Sequence, residues 1–259
     1  MAYQPRVITI EQATAAREGY LPGYVTFSKF GYNPDIDNTQ EALWPPGGDY
    51  VFPVAAQAME IISTSAQDGV AGTGALTVEI EYLDAAWAAK TVTITMNGVT
   101  AVNTNTAAGV SDIFRVNRFY VLTAGTGKAA AGTINLRNIA TPTTFYAQIA
   151  VGRNGSQQAI FTIPAGKTGY ILSWSCSSVA VASGHFTEFR LLVTTTDGDT
   201  YNANIFFVKA VIGCQDGNYN RKFEVPIKVP AKSDIKIVGV ADAGAASTVC
   251  AGAFDGWYE

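Results

Sequence analysis

The feature that most constrains the fold is a strict alternation of apolar and polar residues along short segments. Leu76–Tyr82 alternates apolar residues with Thr77, Glu79 and Glu81, and Thr91–Met96 repeats the pattern. A period of two places all the apolar side chains on one face of an extended strand, whereas an amphipathic helix needs a period near 3.6. Asn97-Gly98 follows the second segment and predicts a hairpin turn. The chain is therefore predicted to be all-β.

Further strands are predicted on both sides of Gly152–Gly155, which we take as a domain boundary. The predicted strands cover residues 117–123, 133–139, 145–150, 159–163, 169–175, 186–194, 201–208, 221–229, 233–240 and 248–254. Roughly seven short strands in about a hundred residues are typical of a sandwich or jelly roll. We expect two antiparallel β-sandwich or jelly-roll-like units, a first β domain over residues 56–151 and a C-terminal sandwich over residues 152–259.

Residues 1–55 have a different character, because proline and glycine interrupt a segment rich in aromatic residues. Proline and glycine break regular elements, yet so many aromatic side chains are rarely left in water. We therefore predict an extended N-terminal arm that packs on its own body or on a neighbouring subunit. The candidate contact residues are its aromatic side chains, Tyr20, Tyr24, Phe27, Phe30, Tyr32 and Trp44.

Two related phrases, Pro164-Ala-Gly-Lys167 and Pro230-Ala-Lys-Ser233, each join two predicted strands. Proline cannot donate a hydrogen bond to a sheet, so each phrase marks the end of a strand. Gly166-Lys167-Thr168 is not a phosphate-binding loop, because Phe161 occupies the position of the required first glycine and a strand follows in place of a helix. Each phrase is predicted to be a hairpin turn whose lysine faces solvent or a neighbouring subunit.

Charge and hydropathy exclude several kinds of partner. The net charge is −4 and no run of Lys or Arg occurs, so nucleic acid is not an expected partner. No apolar run approaches the ~20 residues that span a bilayer, and the first residues do not form a signal peptide, so we expect no membrane partner and synthesis in a cytoplasm. Charged residues make up only 15% of the chain. Such a surface favours packing against neighbours, although a β-rich surface of small polar residues gives the same composition.

The residue types that carry chemistry do not form a recognisable constellation. His185 is the single histidine, and no Gly-x-Ser-x-Gly motif occurs, which argues against a serine hydrolase and a typical zinc site. Carboxylates in three loops lack the spacing of a calcium-binding loop and are interpreted as turn formers. A pair of acids converging from distant strands, as in a glycan-cleaving enzyme, is the remaining enzymatic alternative. We predict no enzymatic activity, no cofactor and no metal.

The three cysteines, Cys176, Cys214 and Cys250, are odd in number and widely spaced. Without a secretion signal, such cysteines are expected to be buried free thiols. A bridge between Cys176 and Cys250, or between Cys214 and Cys250, is the alternative.

Seven groups of short sequence segments, taken in their order along the chain, extend over nearly its whole length. They are Lys29–Asp37 with Glu41–Trp44 and Gly47-Gly48, Ala71–Ala75, Phe114–Arg118, Tyr120–Gly127, Ala131–Ile134, Ile163–Ile171 and Lys228–Lys236. In this order they resemble a family of tailed-bacteriophage virion proteins.

This resemblance implies a non-enzymatic structural protein of the virion, most often a capsid decoration (cement) protein. It implies the major capsid protein and further copies of the chain as partners, with a trimer favoured and with the virion as the location. The six aromatic residues of the predicted arm then become candidate capsid contacts. The alternative is a tail or receptor-binding protein whose loops, rich in Tyr, Asn and Asp, contact host glycans.

Overall fold

A computed structural model describes residues 12–179, 185–196, 200, 205–242 and 248–259. These residues form two short helices, α1 (Gln12–Arg17) and α2 (Thr104–Ala108), and otherwise strands and connections. The strands are β1 (Val25–Ile36), β2 (Glu41–Ala42), β3 (Met59–Ser63), β4 (Ala75–Leu83), β5 (Ala89–Thr95), β6 (Val102–Asn103), β7 (Arg115–Ala124), β8 (Ile134–Asn138), β9 (Phe145–Ile149), β10 (Ile160–Thr162), β11 (Gly169–Val179), β12 (Thr187–Val193), β13 (Phe207–Cys214), β14 (Gly217–Val229), β15 (Asp234–Ala241) and β16 (Thr248–Tyr258). The all-β prediction is confirmed.

The larger unit is a jelly roll of two antiparallel sheets. One sheet has the strand order β1-β16-β11-β14, and the other has the order β10-β15-β12-β13 with β2 also paired to β15. Successive strands of this unit alternate between the two sheets, except that β2 and β10 share a sheet and β12 and β13 form a hairpin. This interleaved connectivity is that of a jelly roll.

The smaller unit, β3 to β9, is an insertion in the jelly roll. Its two antiparallel sheets have the orders β6-β3-β8-β9 and β5-β4-β7. The chain leaves the jelly roll after β2, which pairs with Val238 and Gly239 of β15, and returns at β10, which pairs with Asp234 to Lys236 of the same strand. The points where the chain leaves and re-enters the jelly roll therefore lie next to each other along β15.

Each unit has its own apolar core, as the period-two alternation requires. In the insertion, Val78 and Ile80 of β4 face Ile61 of β3 across the space between the sheets, and all three are fully buried. In the jelly roll, Trp174 and Phe254 from one sheet pack with Phe189 from the other. Burial of one such side chain stabilises the fold by about 1.5–3 kcal/mol.

The structure corrects the predicted N-terminal arm. β1 pairs with β16 from Val25 to Ile36, so this part of the segment is an edge strand of the jelly roll. Pro34 fits because it lies at a bulge on that edge strand. Gly31 is required by close packing, because a Cβ there would lie 2.1 Å from the carbonyl oxygen of Leu43. Residues 1–11 of the predicted arm lie outside the described residues.

The two Pro-Ala phrases are not hairpin turns. They connect β10 to β11 and β14 to β15, which in each case belong to opposite sheets. The two turns lie against each other, since Lys232 N–H donates to the carbonyl oxygen of Ile163 at 2.9 Å. Gly166 and Lys232 occupy equivalent positions with φ of 69° and 67°. Turn sequences define the local backbone, but they do not encode whether the flanking strands pair with each other.

Asn97-Gly98 leads from β5 to β6, which lie in opposite sheets of the insertion, so it is not a hairpin turn either. Of the strand predicted over residues 201–208, residues 201–204 lie outside the described part of the chain, and β13 begins at Phe207.

The two units meet through a buried ion pair. Arg115 of β7 donates Nε–H and Nη2–H to the two carboxylate oxygens of Asp234 on β15, at 2.8 and 3.1 Å. It also donates from Nη1 to the carbonyl oxygen of Pro53 at 2.8 Å. The guanidinium group lies over the rings of Phe52, Trp87 and Phe114, within 5.1 Å of each centroid. The charge is therefore paired, hydrogen-bonded and enclosed by aromatic rings.

A second polar contact continues the junction. The side chain of Asn117 on β7 donates to the carbonyl oxygen of Thr162 at 2.9 Å and accepts from its N–H at 2.8 Å. The amide thus takes the place of a backbone partner for β10. Because both hydrogen bonds are buried, they fix the position of β7 relative to the jelly roll.

Candidate interaction surfaces

The six aromatic residues predicted as contacts divide into two groups. Tyr20 and Phe30 are 65% and 47% exposed, and Tyr24 and Tyr32 are partly exposed. Phe27 and Trp44 are only 8% and 5% exposed and belong to cores of the protein itself. An external partner therefore has access to the first group, and the second group is withdrawn from the candidate surface.

The buried pair owes its position to the strand pairing of the N-terminal segment. Phe27 points inward from β1 and stacks on Phe161 with ring centroids 4.4 Å apart. Trp44 packs edge-on against Tyr50 and donates its indole N–H to the carbonyl oxygen of Gly48 at 3.0 Å. Both side chains satisfy their packing within the chain.

Phe30 borders a shallow depression on the outer face of the sheet β1-β16-β11-β14. The depression has a volume of about 400 Å³. Small residues of β16 and β11 form its floor, and Asn218 and Asn220 of β14 lie on the side opposite Phe30. None of the residues that line it is charged. An aromatic side chain facing two amides over a flat neutral floor suits a polar, uncharged ligand.

A row of exposed apolar residues marks the free edge of the other sheet. Ile205, Val208 and Val211 are 52%, 51% and 56% exposed, and the last two belong to β13. Within the described residues, β13 pairs only with β12. An edge strand with an apolar row offers both hydrogen-bonding groups and hydrophobic area to a neighbour.

A cleft of about 410 Å³ lies between the two units. Its walls come from β1, β4, β7, β10, the end of β16 and the connection before β10, and they include Lys29, Asn117, Phe161 and Tyr258. Lys29 is 8% exposed, and its ammonium group donates to the backbone carbonyl oxygen of Asn117.

The electrostatics of this cleft centre on Lys29. Burial lowers the pKa of Lys29 to about 8, opposed in part by the carboxylate of Glu81. Glu81 itself pairs with Arg118 at 3.2 Å. Among the described residues, no carboxylate lies within ion-pair distance of Lys29. The hydroxyl oxygen of Ser156, also in the wall, is buried and has no hydrogen-bond partner in the described part of the chain.

In the described ranges, no group of three or more His, Cys, Asp and Glu residues is placed to hold a metal ion. His185 Nδ1 lies 3.0 Å from the carboxylate of Asp242. Cys176, Cys214 and Cys250 are buried free thiols, as predicted. Burial raises the pKa of each, to about 12 for Cys250, so these thiols stay protonated and unreactive.

Sequence reasoning missed the cleft, although one signal was present. Lys29 lies two residues from Phe27 and two from Gly31, and a period of two therefore places it on the inward face of β1. A lysine at such a position is unusual and marks a site of interest. Ser156 follows no strand pattern, and no sequence signal identifies it.

Comparisons with known proteins give little guidance. No protein family matches the chain, and no curated protein does. Among solved structures, the chain is similar to one of the Gt strain of infectious bursal disease virus, with 10% identity and a TM-score of 0.23, covering 91% of this chain and 71% of that one. A T=1 particle derived from the same virus gives 11% identity, a TM-score of 0.23 and coverage of 91% and 68%. TM-scores this low carry no argument about fold or function. Among the described helices, none has the length and hydropathy to cross a membrane.

Proposed function

We propose that the protein is a non-enzymatic structural component of a tailed-phage virion, and within the virion a decoration protein bound to the major capsid protein. The observation that carries the proposal is the exposure of Tyr20 and Phe30 at the N-terminal side of the jelly roll. The resemblance of the ordered phrases to phage virion proteins supports it, as does the low content of charged residues, 15%. The shell contact is made by a surface of the jelly roll rather than by a detached arm.

Exposed aromatic residues suit this role because they add large contact areas at low conformational cost. Phe30 projects from the edge strand β1, and Tyr20 lies in the turn that follows α1. Tyr32, partly exposed, lies two residues beyond Phe30 and extends the same outer row. Aromatic residues of this kind are enriched among the few residues that dominate binding energy at interfaces.

The shell contact is tested with purified protein and shells that lack it. We expect the wild type to bind, and Tyr20→Ser and Phe30→Ser each to weaken binding at least tenfold. Val225→Ser is the matched control, because Val225 is 83% exposed but lies on β14 at the opposite edge of the same sheet. If the wild type does not bind shells, or if all three variants bind equally, the decoration role is wrong.

Self-association is the second part of the proposal, with the trimer as the favoured state. The row Ile205, Val208 and Val211 on the free edge of β13 supports it, because a second copy would cover apolar area there. Sedimentation equilibrium should give three times the mass of the chain, and Val208→Lys with Val211→Lys should give monomers. A wild-type monomer at micromolar concentration would contradict this part.

The alternative function is that of a tail or receptor-binding protein that contacts host glycans. The depression between Phe30, Asn218 and Asn220 favours it, because an aromatic ring and amides on a neutral surface suit uncharged sugars. Binding to host cells is the test, with Asn218→Ala and Asn220→Ala as loss-of-binding variants that leave Tyr20 intact. Host-cell binding that these variants abolish, combined with no shell binding, would favour this alternative over the decoration role.

A further inference from the structure

The starting observation is a buried cation without a counter-ion. Lys29 is 8% exposed, and its ammonium group has one hydrogen-bond acceptor in the described residues, the backbone carbonyl oxygen of Asn117. Buried charges are normally paired, because the loss of hydration is otherwise uncompensated. Arg115, at the same junction between the two units, is by contrast paired with the carboxylate of Asp234.

The cleft that contains Lys29 holds a second unused group. The hydroxyl oxygen of Ser156 is buried and unpaired in the described chain, and it lines the same cleft. A hydroxyl both donates and accepts hydrogen bonds, so a buried one without a partner carries a cost. The cleft thus contains a cation without a counter-ion and a hydroxyl without a hydrogen-bond partner, which indicates that a ligand supplies both.

The shape of the cleft defines the rest of the ligand. Aromatic side chains line it, with Phe161 stacked on Phe27 at 4.4 Å and on Tyr258 at 6.3 Å between ring centroids. A second recess of about 280 Å³ shares Phe161 and Tyr258 with the cleft and extends toward Pro164. The space beside Lys29 therefore offers aromatic surface at Phe161 and Tyr258, next to polar groups that include Glu81, and it is large enough for a short stem or one aromatic ring.

The charges select among ligand classes. Arg118 is engaged by Glu81 at 3.2 Å, so the cleft has one cation without a counter-ion, Lys29. A monoanion neutralises that charge, whereas a phosphate dianion would leave negative charge close to Glu81. A cationic ligand would be repelled by Lys29, and a neutral ligand would leave it unpaired.

We propose that this cleft binds a carboxylate carried on a short apolar or aromatic stem, with Lys29 as the ion-pair partner and Ser156 as a hydrogen-bond donor. The carboxylate belongs either to a small organic acid or to an Asp or Glu side chain of a peptide. The inference does not depend on the proposed role in a virion, because it concerns the purified chain alone.

The experiment titrates the full-length protein with two matched pairs of probes, followed by NMR shifts of Lys29. The first pair is 3-phenylpropionate and the neutral 3-phenylpropanamide. The second pair is the capped peptides Ala-Glu-Phe and Ala-Gln-Phe. We expect at least one of the two acids to bind tenfold or more tightly than its neutral partner. The acid that binds identifies the source of the carboxylate.

Two variants connect binding to the cleft. Lys29→Met removes the ammonium group and keeps an unbranched side chain one atom shorter, and we expect it to weaken binding of the acid at least tenfold. Ser156→Ala should weaken binding severalfold. The bound carboxylate should also raise the pKa of Lys29, which the carboxylate of Glu81 on β4 already raises and the guanidinium group of Arg118 on β7 lowers. The third titratable group in the wall, the phenol of Tyr258 on β16, is neutral. Equal binding of acid and neutral probes, no binding of either acid, or binding unchanged by Lys29→Met overturns the proposal.

Discussion

The junction between the two units holds two buried cations with opposite surroundings. Arg115 has a carboxylate, a carbonyl oxygen and three aromatic rings around its guanidinium group. Lys29 has one carbonyl oxygen, and burial lowers its pKa to about 8. Arg115 belongs to β7 and Lys29 donates to β7, and both are buried, so the difference does not come from depth or from location in the fold.

The charge of Arg115 therefore serves the structure, whereas the charge of Lys29 is available to a ligand. The requirements of Arg115 are met within the chain, so its contribution is to hold the insertion against the jelly roll. Lys29 keeps an unmet requirement at a cost in stability, and such costs are typical of sites that bind something. Mutations at the two sites should therefore have opposite effects on the free energy of unfolding.

The largest expected effect is at the paired site. Asp234→Ala leaves the guanidinium group of Arg115 buried without a counter-ion, and this should lower the free energy of unfolding by about 3–5 kcal/mol. Denaturant titration followed by tryptophan fluorescence measures it. The double variant Arg115→Met with Asp234→Leu is the control and should recover much of the loss, because no charge then remains buried. A loss below about 1 kcal/mol in the single variant would show that the pair is not structural.

Removing the charge of Lys29 should instead raise the free energy of unfolding. A pKa lowered from 10.5 to about 8 corresponds to a cost of about 3 kcal/mol for burying the charged form of Lys29 at neutral pH. Lys29→Met removes that cost but also loses about 1 kcal/mol from the hydrogen bond to Asn117. We expect the variant to be about 2 kcal/mol more stable than the wild type at pH 7. A less stable variant would mean that Lys29 is already paired.

The pH dependence sharpens the same contrast. Lys29 has the lower pKa in the folded state, so between about pH 8 and 10.5 the unfolded chain holds more protons. The stability contributed at this site therefore rises with pH in that window. The extra stability of Lys29→Met relative to the wild type should be complete below pH 8 and should decrease toward pH 10.5. Unfolding curves of both proteins at matched pH values measure this difference in the free energy of unfolding. A difference that does not depend on pH would contradict the lowered pKa of Lys29.

The smallest effects concern the exposed pair beside Lys29. The side chains of Glu81 and Arg118 are 38% and 61% exposed, so loss of their ion pair should change stability by less than about 1 kcal/mol. Glu81→Gln should lower the pKa of Lys29 and Arg118→Gln should raise it, because the first removes an attractive charge and the second a repulsive one. NMR titration of the Lys29 side chain gives both directions. Shifts of the same sign in both variants would be inconsistent with this geometry.

The alternation of apolar residues predicted most strands, but it did not predict their partners. β4 and β8 were recognised because their inward residues repeat every second position. β1 was read as irregular chain, since Gly31 and Pro34 interrupt the pattern. Gly31 is required because the backbones of Leu43 and Ala159 approach it closely, and Pro34 is tolerated because it lies at a bulge in the pairing of β1 with β16. Ala159 and β16 are more than a hundred residues away in the sequence, so the local sequence does not contain these reasons.

The candidate site was less predictable than the fold. Tyr20 and Phe30 were expected to be available to a partner, and their exposure is a property of single residues. The cleft forms where the insertion meets the jelly roll, and its residues come from β1, β4, β7, β10, β16 and the connection before β10. Ser156 becomes part of a site only because residues more than a hundred positions away in the sequence, such as Tyr258, line the same cleft.

The pairing of β1 with β16 determines the order in which the protein can be completed during synthesis. Val25 pairs with Tyr258, and Ile36 pairs with Thr248. The chain is synthesised from its N-terminus, so β1 waits for its partner strand until more than two hundred further residues have been made. The insertion, whose strands in the described chain pair among β3 to β9, is free to fold earlier. The jelly roll closes later and slowly, because its edge strand must find a partner more than two hundred residues away.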